Sequence, residues 1–81
     1  MSRHEIALAG GRTLAVGWDP PLETFFAVLR TPEHAHPVLW AGTEPHELYD
    51  LEDLERALGR HRQHLTPAMS LQLYRDRDEG A

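Results

Sequence analysis

The 81-residue sequence contains no cysteine and no lysine. Without cysteine, the chain can form no disulfide, no thiolate-ligated zinc site and no cysteine nucleophile, which is compatible with a reducing cytoplasm. All eight basic residues are arginine, and thirteen acidic residues bring the formal net charge to −5. Because phosphate neutralisation supplies most non-specific affinity for nucleic acid, this charge argues against a general nucleic-acid binder.

Long apolar runs are also missing. No stretch is long enough to cross a bilayer, and the first residues lack the apolar run of a signal peptide. We therefore expect a cytoplasmic protein with no membrane contact. A chain of this length can bury one core, so we expect a single domain over residues 1–75. The charged segment 76–81 is predicted to be a disordered tail.

The first half of the chain has the pattern of strands. Two alternating runs, His4–Ala9 and Arg12–Trp18, flank a Gly-Gly pair. This arrangement predicts a β-hairpin, because glycine supplies the positive φ of tight turns. Pro20 and Pro21 then predict a rigid corner before a third strand that starts near Thr24, since proline lacks a backbone donor.

Residues 24–30 and 38–42 are apolar on both sides of an extended chain. Strand alternation directs Phe26 and Val28 to one face and the apolar side chains between and beside them to the other. Strands of this kind are usually covered on both sides. Short connections favour antiparallel neighbours, so the four strands predict a meander.

The second half of the chain predicts two helices. Asp50 is a candidate N-cap for a helix from Leu51 to about Arg62, with leucine and alanine spaced along one face. Thr66 and Pro67 have the pattern of an N-cap and first helical position, which predicts a second helix over residues 67–75. A strand remains the alternative there, because apolar and polar residues also alternate. The predicted fold is α+β: a four-stranded antiparallel β-meander followed by two C-terminal helices packed on one face.

One stretch resembles a known group of sequences. Residues 17–26 follow the pattern Gly-Trp-Asp-x-Pro-Leu-x-Thr-Phe-Phe with proline at the first open position, and residues 39–43 continue as Leu-Trp-Ala-Gly-Thr. The two segments cover roughly a third of the chain. They resemble short uncharacterised bacterial proteins with a GWDxPLxTFF-like motif, for which no activity is established. The resemblance therefore implies kinship without implying catalytic residues.

Six histidines suggest a metal site as one functional hypothesis. His34 and His36 lie in one polar loop and His46 lies in the next, so these loops could meet at one end of the sheet. Zinc usually takes three or four protein ligands, and cysteine ligands are missing here. Solvated histidines are the favoured interpretation, and a site formed by His34, His36 and His46 remains the alternative.

The nearest arrangement to a catalytic carboxylate pair is Asp19 with Glu23. A general acid and base need convergent geometry and a pocket that separates their pKa values. A small meander is expected to leave little room for a pocket of several hundred Å³. An enzyme acting on a small substrate through these residues is therefore the third hypothesis, and we expect neither catalysis nor a cofactor.

The aromatic residues favour a different function. Two short helices can cover one face of a four-stranded sheet, which predicts that large apolar side chains remain on the other face. Tryptophan, phenylalanine and arginine are enriched at protein contacts. The sequence thus predicts a protein-interaction module, with self-association as a homodimer through the aromatic sheet face as one form. The candidate anchors are Trp18, Phe25 and Trp40.

Overall fold

The computed structural model describes residues 1–80 and confirms the predicted α+β architecture. Its four strands form one sheet in the order β1-β2-β3-β4, and every neighbouring pair is antiparallel. Two α-helices follow the sheet in the chain. The elements are β1 (His4–Ala7), β2 (Thr13–Asp19), β3 (Thr24–Arg30), β4 (Leu39–Ala41), α1 (Leu51–Leu58) and α2 (Pro67–Glu79).

The predicted hairpin and proline corner are both present. A short 3-10 turn connects β1 to β2, and the Leu8 amide donates to the Arg12 carbonyl at 2.9 Å. At the corner, the Asp19 carboxylate accepts from the Leu22 amide at 3.4 Å, as the side chain of a turn residue often does. The corner therefore reverses the chain directly from β2 into β3.

The first helix is shorter than predicted. Regular α-helix ends at Leu58, and Gly59 follows with a φ of 58°, a conformation that costs glycine little. The Gly59 amide donates to the carbonyls of Arg56 and Glu55, which closes the last turn. Residues 59–64 continue as a 3-10 segment, so the prediction of one helix to about Arg62 is wrong for its last four residues.

The segment after Thr66 is a helix and not a strand. The Thr66 hydroxyl accepts from the Met69 amide at 3.1 Å, and Pro67 occupies the first turn as expected. The helix continues to Glu79, so the predicted disordered tail from residue 76 is wrong for residues 76–79. Burial of Asp76 against β1 explains the extension, because its side chain is only 5% exposed. Ala81, the last residue of that predicted tail, lies outside the described residues.

One core lies between the sheet and the helices. The inward side chains of β2 and β3 pack against leucines of α1 and α2, so both helices lie on the same face as predicted. At its centre the rings of Trp18 and Phe25 meet edge to face, with centroids 5.0 Å apart and planes at 68°. The guanidinium of Arg77 lies 6.0 Å from the Phe25 ring and 5.5 Å from the Tyr49 ring. These contacts fix the C-terminal half of α2 on the core.

Candidate functional site

The site lies on the sheet face opposite the helices, here called the outer face. Strand alternation places Phe26 and Val28 of β3 on this face, and both belong to a small cluster separate from the main core. In the sheet register, Trp40 of β4 is paired with Val28, and Val28 is also paired with Ala15 of β2. A row of apolar side chains therefore crosses three neighbouring strands.

Trp40 is the most conspicuous residue of the outer face because its side chain remains 65% exposed. Phe26 and Val28 beside it are only 7% and 8% exposed, although neither helix covers them. A large ring on a sheet surface usually packs under a helix or a second sheet. Trp40 has neither cover within residues 1–80, and it is therefore available for contact with another molecule.

A concavity of about 390 Å³ opens on the outer face. Its apolar lining comes from two strands and two loops, and the members are Met1, Leu22, Phe26, Val28 and Trp40. The prediction that a small meander leaves little room for a pocket of this size is wrong. Leu22 of the corner and Met1 and Arg3 of the N-terminal segment line its sides, so segments outside the strands supply the depth that a four-stranded sheet lacks.

Gly17 lies against the ring of Phe26, which lines the concavity. A Cβ atom at this position would lie 2.7 Å from Cζ of Phe26 and would also meet the Ser2 carbonyl. A real Cβ almost never approaches another heavy atom so closely. Any other residue at position 17 would therefore displace the ring, and the shape of the concavity depends on this glycine.

A hydrogen-bonded loop supports one edge of the concavity. The Glu47 carboxylate accepts from the amides of Gly42, Thr43 and Glu44, each at 3.1 Å. The bond from Gly42, together with those from Glu44 and Thr43, holds the pKa of Glu47 below its ordinary value, although burial acts in the opposite direction. Since Gly42 and Thr43 line the concavity, this carboxylate fixes that part of its edge.

The predicted anchors do not share one surface. Trp18 is 4% exposed and Phe25 is fully buried, and both belong to the core beneath the helices. The prediction that they are contact anchors is wrong, because alternation directs them to the covered face while it directs Trp40 outward. Phe26 and Val28, which are 7% and 8% exposed, lie on the opposite face beside Trp40. The alternation along β3 indicated that Phe26 and Val28 share one face and Phe25 the other, but the sequence did not show which of the two faces the helices cover.

The two tryptophans give a direct test of which sheet face is covered and which is open. We expect iodide to quench the fluorescence of a Trp18→Phe variant, which retains Trp40, several times more efficiently than that of a Trp40→Phe variant. The physical reason is that iodide is hydrated and reaches only exposed indoles, and exposure here is 65% against 4%. Stern–Volmer plots on the folded variants measure the difference. Equal slopes for the two variants would contradict the placement of Trp40 on an open face.

The structure does not assemble the predicted metal site. In the part of the chain that the structure describes, no three histidine or acidic side chains lie close enough together to hold a metal ion. The expectation that His34, His36 and His46 converge is therefore wrong. Nε2 of His46 instead lies 3.0 Å from the Glu23 carboxylate, and its ring meets Tyr49 edge to face. These local partners explain why the loop that contains His46 is held away from the other two histidines.

The remaining close pair of histidines also lacks further ligands. The rings of His61 and His64 are stacked with centroids 6.4 Å apart. Burial lowers the pKa of His61, and the charges of Arg60, His64 and Arg12 lower it further. The positive charges of the arginines beside these rings disfavour the binding of a cation there.

The two candidate catalytic carboxylates take separate positions. Asp19 lines the concavity and caps the Leu22 amide, whereas the Glu23 carboxylate is bound to His46 and is not part of the lining. Glu23 has a φ of 50°, because it ends the tight corner before β3. The corner therefore directs the two side chains to different neighbours and does not present them as an acid–base pair.

Comparisons with known proteins leave the relationship of the chain open. No family model matches the sequence, and neither the curated proteins nor the solved structures contain a match. The resemblance of residues 17–26 to short bacterial proteins thus stays a prediction. Within residues 1–80, no helix combines the length and the apolar character needed to traverse a bilayer.

Proposed function

We propose that the chain is a small, non-catalytic protein-interaction module and that the outer face of its sheet is the contact surface. The observation that carries the proposal is the 65% exposure of Trp40 beside the apolar cluster of Phe26 and Val28. Tryptophan is among the commonest residues to dominate binding energy at protein interfaces. The proposal places the module in the cytoplasm and assigns it no cofactor and no nucleic-acid partner.

The size of the outer face favours a short segment of a partner protein. Four strands spaced by about 4.8 Å, with the longest about 23 Å long, offer a footprint of roughly 400 Å². A stable interface usually buries about 800 Å² on each partner. The formal charge of −5 on every copy also opposes self-association. A homodimer joined by this face would therefore need contacts beyond the sheet.

The proposal is tested by selecting binders from a display library of random twelve-residue peptides. We expect the native chain to enrich a family of peptides that a Trp40→Ser variant fails to enrich. Leu71→Ser is the matched control, because Leu71 is a similarly exposed apolar residue on α2, 53% accessible and remote from the outer face. Enrichment that is unchanged by Trp40→Ser but lost with Leu71→Ser would overturn the proposal, as would the absence of any enrichment.

A dilution series followed by light scattering identifies a second copy as the occupant or removes it. A molar mass that rises with concentration, and that Trp40→Ser returns to one protomer, would make a second copy the partner. A single protomer at every concentration would remove the homodimer and leave the peptide segment. Self-association that persists in the Trp40→Ser variant would contradict the outer face as the contact surface.

A further inference from the structure

The outer face is less acidic than the chain as a whole, because Arg3 and Arg30 on it offset the carboxylates of Glu5 and Asp19. Arg3 and Arg30 both line the concavity, and Asp19 is the acidic residue beside them. Glu5, in register with Ala15 of the outer face, balances the charge of Arg3, so the face has a formal side-chain charge of zero in a chain of formal charge −5. The Asp19 carboxylate is also turned towards the Leu22 amide, which partly neutralises it.

The two arginines differ in their partners. Arg3 lies 3.3 Å from the Glu5 carboxylate, in a solvated pair of the kind that contributes little. Arg30 makes no ion pair with any carboxylate among residues 1–80. Its guanidinium is exposed at the end of β3 and has five N–H donors to offer. Arg30 is therefore the stronger candidate for recognising an anionic group.

The sheet register fixes where Arg30 lies relative to the apolar row. Arg30 follows Val28 by two residues on β3, so both side chains are on the outer face about 6.6 Å apart along the strand. Trp40 is paired with Val28, and Val38 precedes it by two residues beside Arg30. The apolar contact at Val28 and Trp40 is thus separated from the cationic side chain of Arg30 by the distance between alternate residues of an extended chain.

An extended peptide matches this spacing. Its side chains at positions i and i+2 point to the same side and are separated by the same distance of about 6.6–7 Å. When such a segment lies across the outer face along β3, a side chain packed against Val28 and Trp40 places the side chain two residues away next to Arg30.

We infer that the partner segment is extended and has an apolar or aromatic residue separated by one position from an aspartate or glutamate. The inference rests on the proposed function, because it names the chemistry of the segment that the same face binds. The apolar side chain occupies the concavity beside Trp40, and the carboxylate accepts hydrogen bonds from Arg30. Arg30, which has no carboxylate partner among residues 1–80, favours acidic segments over basic ones.

The peptide-display selection described above also tests this inference when its sequences are read for charge. We expect enriched peptides to have an acidic residue two positions from an apolar one. A representative peptide is then synthesised with fluorescein, and its affinity is measured by anisotropy for the native chain and for Arg30→Gln. We expect Arg30→Gln to weaken binding about two- to fivefold, the size of a solvent-exposed ion pair. The same loss is expected when the peptide carboxylate is replaced by an amide.

Arg62→Gln is the matched control, because it removes the same charge from the helical layer and leaves the outer face intact. Binding by this variant should equal that of the native chain. Peptides that depend on Trp40 but show no acidic preference, or that bind Arg30→Gln with native affinity, would overturn the inference and leave the proposed function standing. Failure to enrich any Trp40-dependent peptide would instead overturn the proposed function itself.

Discussion

Replacing Phe25 with alanine is expected to lower the free energy of unfolding by about 3–5 kcal/mol, the cost of removing a buried aromatic ring from a core. Phe25 is fully buried, it meets Trp18 edge to face, and it lies beneath the Arg77 guanidinium. A domain of this length has a total stability of only about 4–12 kcal/mol. The variant should therefore lose a large fraction of its stability, which urea titration monitored by circular dichroism will measure.

Trp40→Ala is the matched control for this experiment. It also removes a large ring from the sheet, but from a position that is 65% exposed. We expect it to change the free energy of unfolding by less than about 1 kcal/mol, as most surface substitutions do. A loss comparable to that of Phe25→Ala would show that Trp40 is needed for the fold, and it would remove the main support for a contact surface on the outer face.

The second large effect concerns a buried polar contact between the two ends of the chain. Oδ2 of Asp76 on α2 lies 2.6 Å from Nε2 of His4 on β1, and its Oδ1 accepts from the Gln72 amide at 2.9 Å. The Asp76 side chain is 5% exposed and that of His4 is 27% exposed. We expect Asp76→Asn to reduce the free energy of unfolding by about 2 kcal/mol, because it weakens hydrogen bonds to a buried ionised group.

The same contact predicts a dependence of stability on pH. Burial acts to raise the pKa of Asp76, but hydrogen bonds from His4, Gln72 and Ser2 and the charge of His4 outweigh it, so the pKa is below its ordinary value. A carboxyl whose pKa is lower in the folded state stabilises the fold fully above its unfolded-state pKa of about 4. This contribution is lost as the pH falls through the folded-state pKa, where the proton binds.

Urea titrations from about pH 7 down to about pH 3 separate this contribution from that of other carboxylates. The difference in unfolding free energy between the native chain and Asp76→Asn should be constant at neutral pH and shrink as the solution becomes acidic. Asp78→Asn is the control, because Asp78 is on the same helix with its side chain 73% exposed, and it should match the native chain. A difference that is independent of pH would contradict an ionised Asp76 in the fold.

Local patterns in the sequence were sufficient for most of the fold. The Gly-Gly pair, the two prolines of the corner and the Thr-Pro pair before α2 each restrict the backbone dihedrals of their own residues, and each of these turns and caps is present. At Gly59 the local pattern predicted the wrong end for α1. The apolar spacing continues past it, but its positive φ ends α1 four residues before the predicted end.

The candidate site was only partly predictable. Alternation correctly separated Phe26 and Val28 from Phe25, since the pleat of a strand is a local property. It could not show which set the helices would cover, and the choice of Trp18 and Phe25 as anchors was wrong for that reason. The prediction of a histidine site was wrong for a similar reason, because the positions of loops depend on side-chain contacts such as that between His46 and Glu23.

The sequence alone determined the strands, the corner and the first turn of each helix, because these depend on the dihedral preferences of neighbouring residues. Tertiary structure decided which sheet face is covered, where α2 ends and that a concavity forms beside Trp40. These features require contacts between residues far apart in the chain, such as His4 with Asp76. The energies of such contacts depend on three-dimensional packing, which no local pattern specifies.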